Sequence, residues 1–167
     1  MHVATLPRIL TPTGLSSIVF TIARDPSLWS HLITYRPEQR YWVRLDAPEV
    51  FRDSVDLWLL TWLPGQQTQP HDHGNSAAAF RVVRGSITEF RWSSNGTRTS
   101  ANFKAGQSRE VPAGAVHDVV NLGTEPAVSI HAYSPRLTYM KYYSVGDFGL
   151  RAERIVESDN PDSEWVR

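Results

Sequence analysis

Gly65-Gln66-Gln67-Thr68-Gln69-Pro70-His71-Asp72-His73-Gly74-Asn75-Ser76-Ala77-Ala78, then six residues and Gly85, is the stretch that decides how this chain is read. His71 and His73 are two apart. On an extended backbone both side chains leave the same face, as two ligands of one ion must, and Asp72 between them points the other way. A second stretch runs from Gly106 through Pro112-Ala113-Gly114 to His117 and Asn121. Its Pro-Ala-Gly turn can start a strand that brings His117 back beside the first pair.

Outward from these stretches the pattern is one of short strands. Asp56-Leu57-Trp58-Leu59-Leu60-Thr61-Trp62 is nearly all apolar, which predicts burial on both faces, and Pro64-Gly65 ends it. Strands are expected at Ala79–Val83, Ile87–Trp92, Val116–Val120, Val128–Tyr133 and Tyr139–Tyr143. Asn95-Gly96 is a hairpin turn signal between Ile87–Trp92 and the strand after it. The first 35 or so residues differ: Ser16 to Ala23 is apolar at helical spacing, and Pro26-Ser27-Leu28-Trp29 can open a second helix. The organisation expected is a helical segment over 1–38 packed on a barrel over 39–156, with a charged, Pro161-broken tail over 157–167, all in one domain.

Composition narrows the partners. The 167 residues are 41% apolar, with six each of Trp, Tyr and Phe, which favours strands over a helical bundle. Lys and Arg balance Asp and Glu at net zero, so neither a nucleic-acid surface nor a polybasic membrane segment is expected. There is no cysteine, hence no disulfide, thiolate ligand or catalytic thiol. No basic segment followed by an apolar run opens the chain, and no run approaches a membrane span; a soluble, cytoplasmic protein is the expectation.

Together the two histidine stretches resemble the two halves of the cupin fingerprint. That resemblance implies an all-β fold, a small jelly-roll barrel holding a metal ion among His71, His73 and His117. Cupins normally place a carboxylate ligand where this chain has Ala78, so the site reads as three histidines and no acid. Neutral imidazoles suit Fe(II), Zn(II), Ni(II) and Cu(II). Without a carboxylate ligand a divalent ion keeps its full charge, which favours anionic ligands and a coordinating thiol in its thiolate form. Zinc in such a site would instead activate water.

Downstream, Ser129-Ile130-His131-Ala132-Tyr133 alternates, placing Ser129, His131 and Tyr133 on one strand face, where they can form a hydrogen-bond relay. With this row the chain resembles the cysteine dioxygenase family of thiol dioxygenases. The resemblance is carried by Trp62-Leu63-Pro64-Gly65 leading to His71-Asp72-His73-Gly74, by Val111-Pro112-Ala113-Gly114 leading to His117, and by Thr124 through Ser129-Ile130-His131-Ala132-Tyr133-Ser134-Pro135. It implies mononuclear Fe(II) held by His71, His73 and His117, with O2 converting a small thiol, L-cysteine first, to a sulfinate. It also implies Ser129, His131 and Tyr133 as the outer catalytic relay, Tyr133 near the substrate, and a cis Ser134–Pro135 bond. Mammalian members join a Cys to this Tyr; here that Cys position is Ala78, so Tyr133 works uncrosslinked, as in many bacterial relatives. The family's carboxylate-binding arginine is best matched by Arg44, preceded by Trp42 where the family often has Tyr. Other readings stay open: a dioxygenase for another small thiol such as 3-mercaptopropionate, a zinc or nickel cupin, or a non-catalytic cupin that binds a small ligand. A monomer is the family-like expectation.

Overall fold

The computed structural model describes residues 8–157. The expected tail over 157–167 lies outside the described residues except for Glu157, which ends the last strand. Among the described residues one α-helix, α1 (Pro12–Ala23), is followed by short 3-10 turns at Pro26–Leu28 and Ser30–Leu32. Eleven strands follow among the described residues: β1 Tyr41–Leu45, β2 Asp56–Trp62, β3 His71–Asp72, β4 Ala77–Arg84, β5 Ser86–Trp92, β6 Arg98–Lys104, β7 Ser108–Val111, β8 Val116–Val120, β9 Ala127–Ser134, β10 Tyr139–Gly146 and β11 Gly149–Glu157. They form two antiparallel sheets, ordered β1-β2-β9-β4-β7 and β11-β10-β3-β8-β5-β6.

Alternation in the first sheet explains its all-apolar strands. Leu57 and Leu59 of β2, Ala77 and Ala79 of β4, and Val128, Ile130 and Ala132 of β9 join one core with Leu15, Ile18, Val19 and Ile22 of α1. The intervening residues, Trp58, Trp62, Ala78, Phe80, Val82 and Tyr133, belong to a second core with Met140 and Tyr142 of the other sheet. A strand with a helix on one face and a second sheet on the other has no wet side, which is why β9 is buried throughout. The helix that covers it starts at Thr11, whose hydroxyl accepts from the Gly14 amide, with Pro12 in the first turn.

Two details of the histidine stretches serve the frame rather than the site. Asn121 is fully buried; its amide donates to the carbonyls of Trp62 (3.0 Å) and Glu125 (2.8 Å), tying the end of β2 to the end of β8. Gly85 has φ +67°, and a Cβ there would meet the Pro126 carbonyl oxygen at 2.6 Å, so only glycine allows β4 to turn into β5 this close to β9. The Ser134–Pro135 bond is cis, as the resemblance implied. No described helix is long and apolar enough to cross a membrane.

Candidate metal centre

The short strand β3 pairs with β10 on one side and β8 on the other, and its His71 lies directly opposite His117. His73 follows on the same side, so the three rings converge, with centroids 4.7–5.0 Å apart. One nitrogen from each lies within 4.8 Å of the others, and all three residues are buried. Asp72 faces away as expected, accepting from the Tyr143 hydroxyl (2.6 Å) and the Gly74 amide (2.8 Å).

Hydrogen bonds assign the protons. His71 Nδ1 lies 2.7 Å from the Gln69 carbonyl, which can only accept, so Nδ1 carries hydrogen and Nε2 is bare. His117 Nδ1 lies 2.9 Å from Glu89 Oε1, an acceptor, so its Nδ1 also carries hydrogen. His73 Nε2 is 3.3 Å from His117 Nε2, and its Nδ1 is buried without a hydrogen-bond partner. Burial, and then the neighbouring His117, holds the pKa values of His71 and His73 well below the imidazole range, so both stay neutral. Three buried imidazoles with a ring nitrogen each turned to a common point are the arrangement that a single cation requires. The donor set therefore fits a divalent metal ion, and its neutral imidazoles match the softness of first-row transition metals.

The centre opens into a narrow cavity of about 40 Å3 between the sheets. Trp42, Trp58, Trp62, Leu60, Val119 and Met140 form its apolar wall, and Arg40, Gln69, His131, Tyr133 and Tyr142 are among its polar groups. Ser129, His131 and Tyr133 all face inward from β9 and are buried. Ser129 Oγ is 2.7 Å from His131 Nε2 and accepts from the Trp62 indole at 2.9 Å. Accepting from Trp62 leaves the hydroxyl both its proton and a second lone pair, so it can meet Nε2 in either tautomer of His131. Burial lowers the His131 pKa to about 3, so this imidazole is neutral. Burial also raises the Tyr133 pKa, keeping its hydroxyl protonated, and the Tyr133 ring meets His73 edge to face at 4.9 Å. Ala78, on β4, is the direct cross-strand partner of Tyr133.

Arg44 stands apart from this group. It does not line the cavity; its guanidinium covers the Trp58 ring at 4.6 Å, 4.0 Å from Asp56, with 46% of the side chain exposed. The arginine at the cavity is Arg40, four residues earlier, whose guanidinium lies 5.0 Å above the Trp62 ring. Arg40 keeps part of its surface in solvent, but crowding around the charged end lowers its pKa from the ordinary value. Burial works against the charge, and the Tyr142 and Tyr133 hydroxyls work for it. Three contributors are absent from the sequence reading: Arg40, the Trp62 indole and Glu89. The Glu89 side chain is wholly buried behind His117 and is also held by Arg91 (3.2 Å) and Arg109 (2.6 Å).

Comparison with known proteins gives this arrangement a context. The family model for cysteine dioxygenase type I matches residues 14–145. Human cysteine dioxygenase type 1 is 25% identical over an alignment of 130 residues that covers 72% of this chain and 64% of that protein. The chain thus spans somewhat under two thirds of the length of that relative. In fold it is similar to a double-stranded β-helix protein from Klebsiella pneumoniae (TM-score 0.53, 19% identity, 75% of this chain and 93% of that one). It is likewise similar to the Cnp3 cupin domain of Schizosaccharomyces pombe (TM-score 0.51, 14% identity, 62% and 64%). The fold is that of a cupin.

Proposed function

From the premise that this chain belongs to the cysteine dioxygenase type I family, we propose that it is an iron-dependent thiol dioxygenase. In this reading it adds both atoms of O2 to the sulfur of a small carboxylate-bearing thiol, L-cysteine first, giving the sulfinate. The observation that carries the reading is a buried, acid-free trio, His71, His73 and His117, opening into one cavity with Arg40, His131 and Tyr133. Iron bound by the three histidines would supply the means of activating thiolate and dioxygen together.

The chain's own residues bind, orient and exclude water. Among the described residues Arg40 is the permanent cation of the lining, and it pairs with the substrate carboxylate, its fork suited to two parallel hydrogen bonds. Trp62 beneath it limits the guanidinium's movement. The Trp42 and Trp58 rings meet edge to face at 4.9 Å and form an apolar wall that keeps bulk water from the sulfur. Tyr133, protonated at neutral pH, donates a hydrogen bond into the cavity, and the Ser129–His131 pair steadies the strand from which it projects. Size selects as well. At about 10–15 Å3 per enclosed water centre, the cavity of about 40 Å3 takes a molecule the size of a few waters, which favours a small thiol over a tripeptide.

A second reading, 3-mercaptopropionate, is favoured by one observation: among the described residues, no carboxylate lines the cavity to receive an ammonium group. Anaerobic loading with Fe(II), followed by oxygen-uptake and product analysis with L-cysteine, 3-mercaptopropionate, cysteamine and glutathione, tests both. Sulfinate from a carboxylate thiol is expected. Absence of sulfinate from every thiol would remove the proposal.

A further inference from the structure

We propose that Glu89 is a positioning residue of the metal centre: the acid missing from the ligand set at Ala78 is kept one layer out, where it aims and charges His117. This rests on reading His117 as a ligand. Glu89 lies on β5, next to β8 in the sheet, with Glu89 opposite Val119 and Arg91 opposite His117. Its side chain is 0% exposed, and a carboxylate so placed is tolerated only when its oxygens are satisfied. Both are. Oε1 accepts from His117 Nδ1 (2.9 Å) and Arg91 Nε (3.2 Å), and Oε2 accepts from Arg109 Nε (2.6 Å).

The three ligand rings are consequently held in three different ways. His71 leans on a neutral carbonyl, His73 Nδ1 has no partner, and His117 alone leans on a charge. A charged acceptor pins the ring plane, fixes the proton on Nδ1 and enriches Nε2 in electron density, so His117 is the strongest donor of the three. The two arginines hold the carboxylate from the far side, so it can accept from the imidazole without turning away. An ion cluster serving only to join β5, β7 and β8 would need the arginines and the carboxylate, but no geometry aimed at a ligand nitrogen.

Zinc titrated into the metal-free full chain against a chromophoric chelator reads this directly, without any turnover. Glu89→Gln keeps an acceptor but removes the charge, and the expected loss in Zn2+ affinity is about 10- to 100-fold. Glu89→Asp keeps the charge between the arginines while drawing the oxygen back from His117, and it should weaken binding in the same direction even if Glu89→Gln fails to fold. In the zinc-loaded protein the His117 15N shifts should move in both variants, with His71 unchanged. Zinc affinity and His117 shifts like the wild type in whichever variant folds would overturn the proposal. His117→Ala separates the two levels: if it binds zinc as the wild type does, the reading of the centre itself fails, whatever Glu89 does.

Discussion

Replacing Arg40 and Arg44 in turn by alanine distinguishes the cavity arginine from the exposed one. Arg40 lines the cavity over Trp62, whereas Arg44 lies on Trp58 beside Asp56, whose Oδ1 also accepts from Arg136 Nε at 3.0 Å. Without Arg40 a substrate carboxylate would enter an apolar cavity with no permanent counter-charge. Breaking a buried ion pair costs about 3–5 kcal/mol, and because Arg40 is only half-buried the figure reduces to about 2–4 kcal/mol. At 1.36 kcal/mol per factor of ten, kcat/KM for L-cysteine should fall by roughly 30- to 1,000-fold. Arg44, with nearly half its side chain in water, should cost under about 1 kcal/mol, less than about sixfold. Cysteamine lacks the carboxylate and supplies the control, since Arg40→Ala should leave its kcat/KM nearly unchanged. Steady-state oxygen uptake with both thiols provides the numbers. A larger loss from Arg44→Ala, or equal losses for the two thiols in Arg40→Ala, would refute the assignment.

Trp62→Phe removes the indole donor 2.9 Å from Ser129 but keeps a ring under Arg40; kcat should fall about fivefold, worth about 1 kcal/mol, with KM changed little. Trp62→Leu should raise KM as well, and the split is read from saturation curves. The metal-free protein should lose stability in acid. His131 has a folded pKa of about 3 against 6.5 unfolded, so the unfolded chain binds more protons between those values. Its stabilising contribution is present above pH 6.5 and drains as pH falls, by about 2 kcal/mol at pH 5. Urea denaturation of wild type and His131→Phe at pH 7.5 and 5 should therefore converge by that amount. Finally, Gly74 has φ +58°, and a Cβ there would sit 2.5 Å from the Tyr139 ring. Gly74→Ala should cost about 2–3 kcal/mol, of which about 1–2 is backbone strain that Tyr139→Ala does not relieve; full rescue in the double variant would show the strain reasoning to be mistaken.

The inner frame was legible because burial leaves a pattern. Asp56–Trp62 has the bounds the all-apolar run implied, and Ser129, His131 and Tyr133 share a face as alternation requires. The Asn95-Gly96 turn implies β6 without giving its bounds, and β7 and β11 have no signal of their own: β6 lies at a sheet edge with most residues exposed, and β11 is an edge strand with two buried residues, so neither shows a period in hydrophobicity. Arg40 is hidden in the sequence for a different reason. Residues 40, 42 and 44 share one parity along an extended chain, and parity gives the side but not the depth at which a side chain meets the cavity. Glu89 had a usable signal: it shares a face with Ile87, which is fully buried, so an acid on that face needs partners. Those partners come from β7 and β8, and the pairing of separate strands is not written in local spacing.

Incubating the ferrous protein with 18O2 and L-cysteine, then weighing the sulfur product, interrogates the chemistry assigned to His71, His73 and His117 without relying on any variant. A sulfinate carrying two heavy oxygens, formed only when iron is present, is the predicted outcome. A disulfide, a product whose oxygen comes from water, or the same yield from iron-free protein would contradict it.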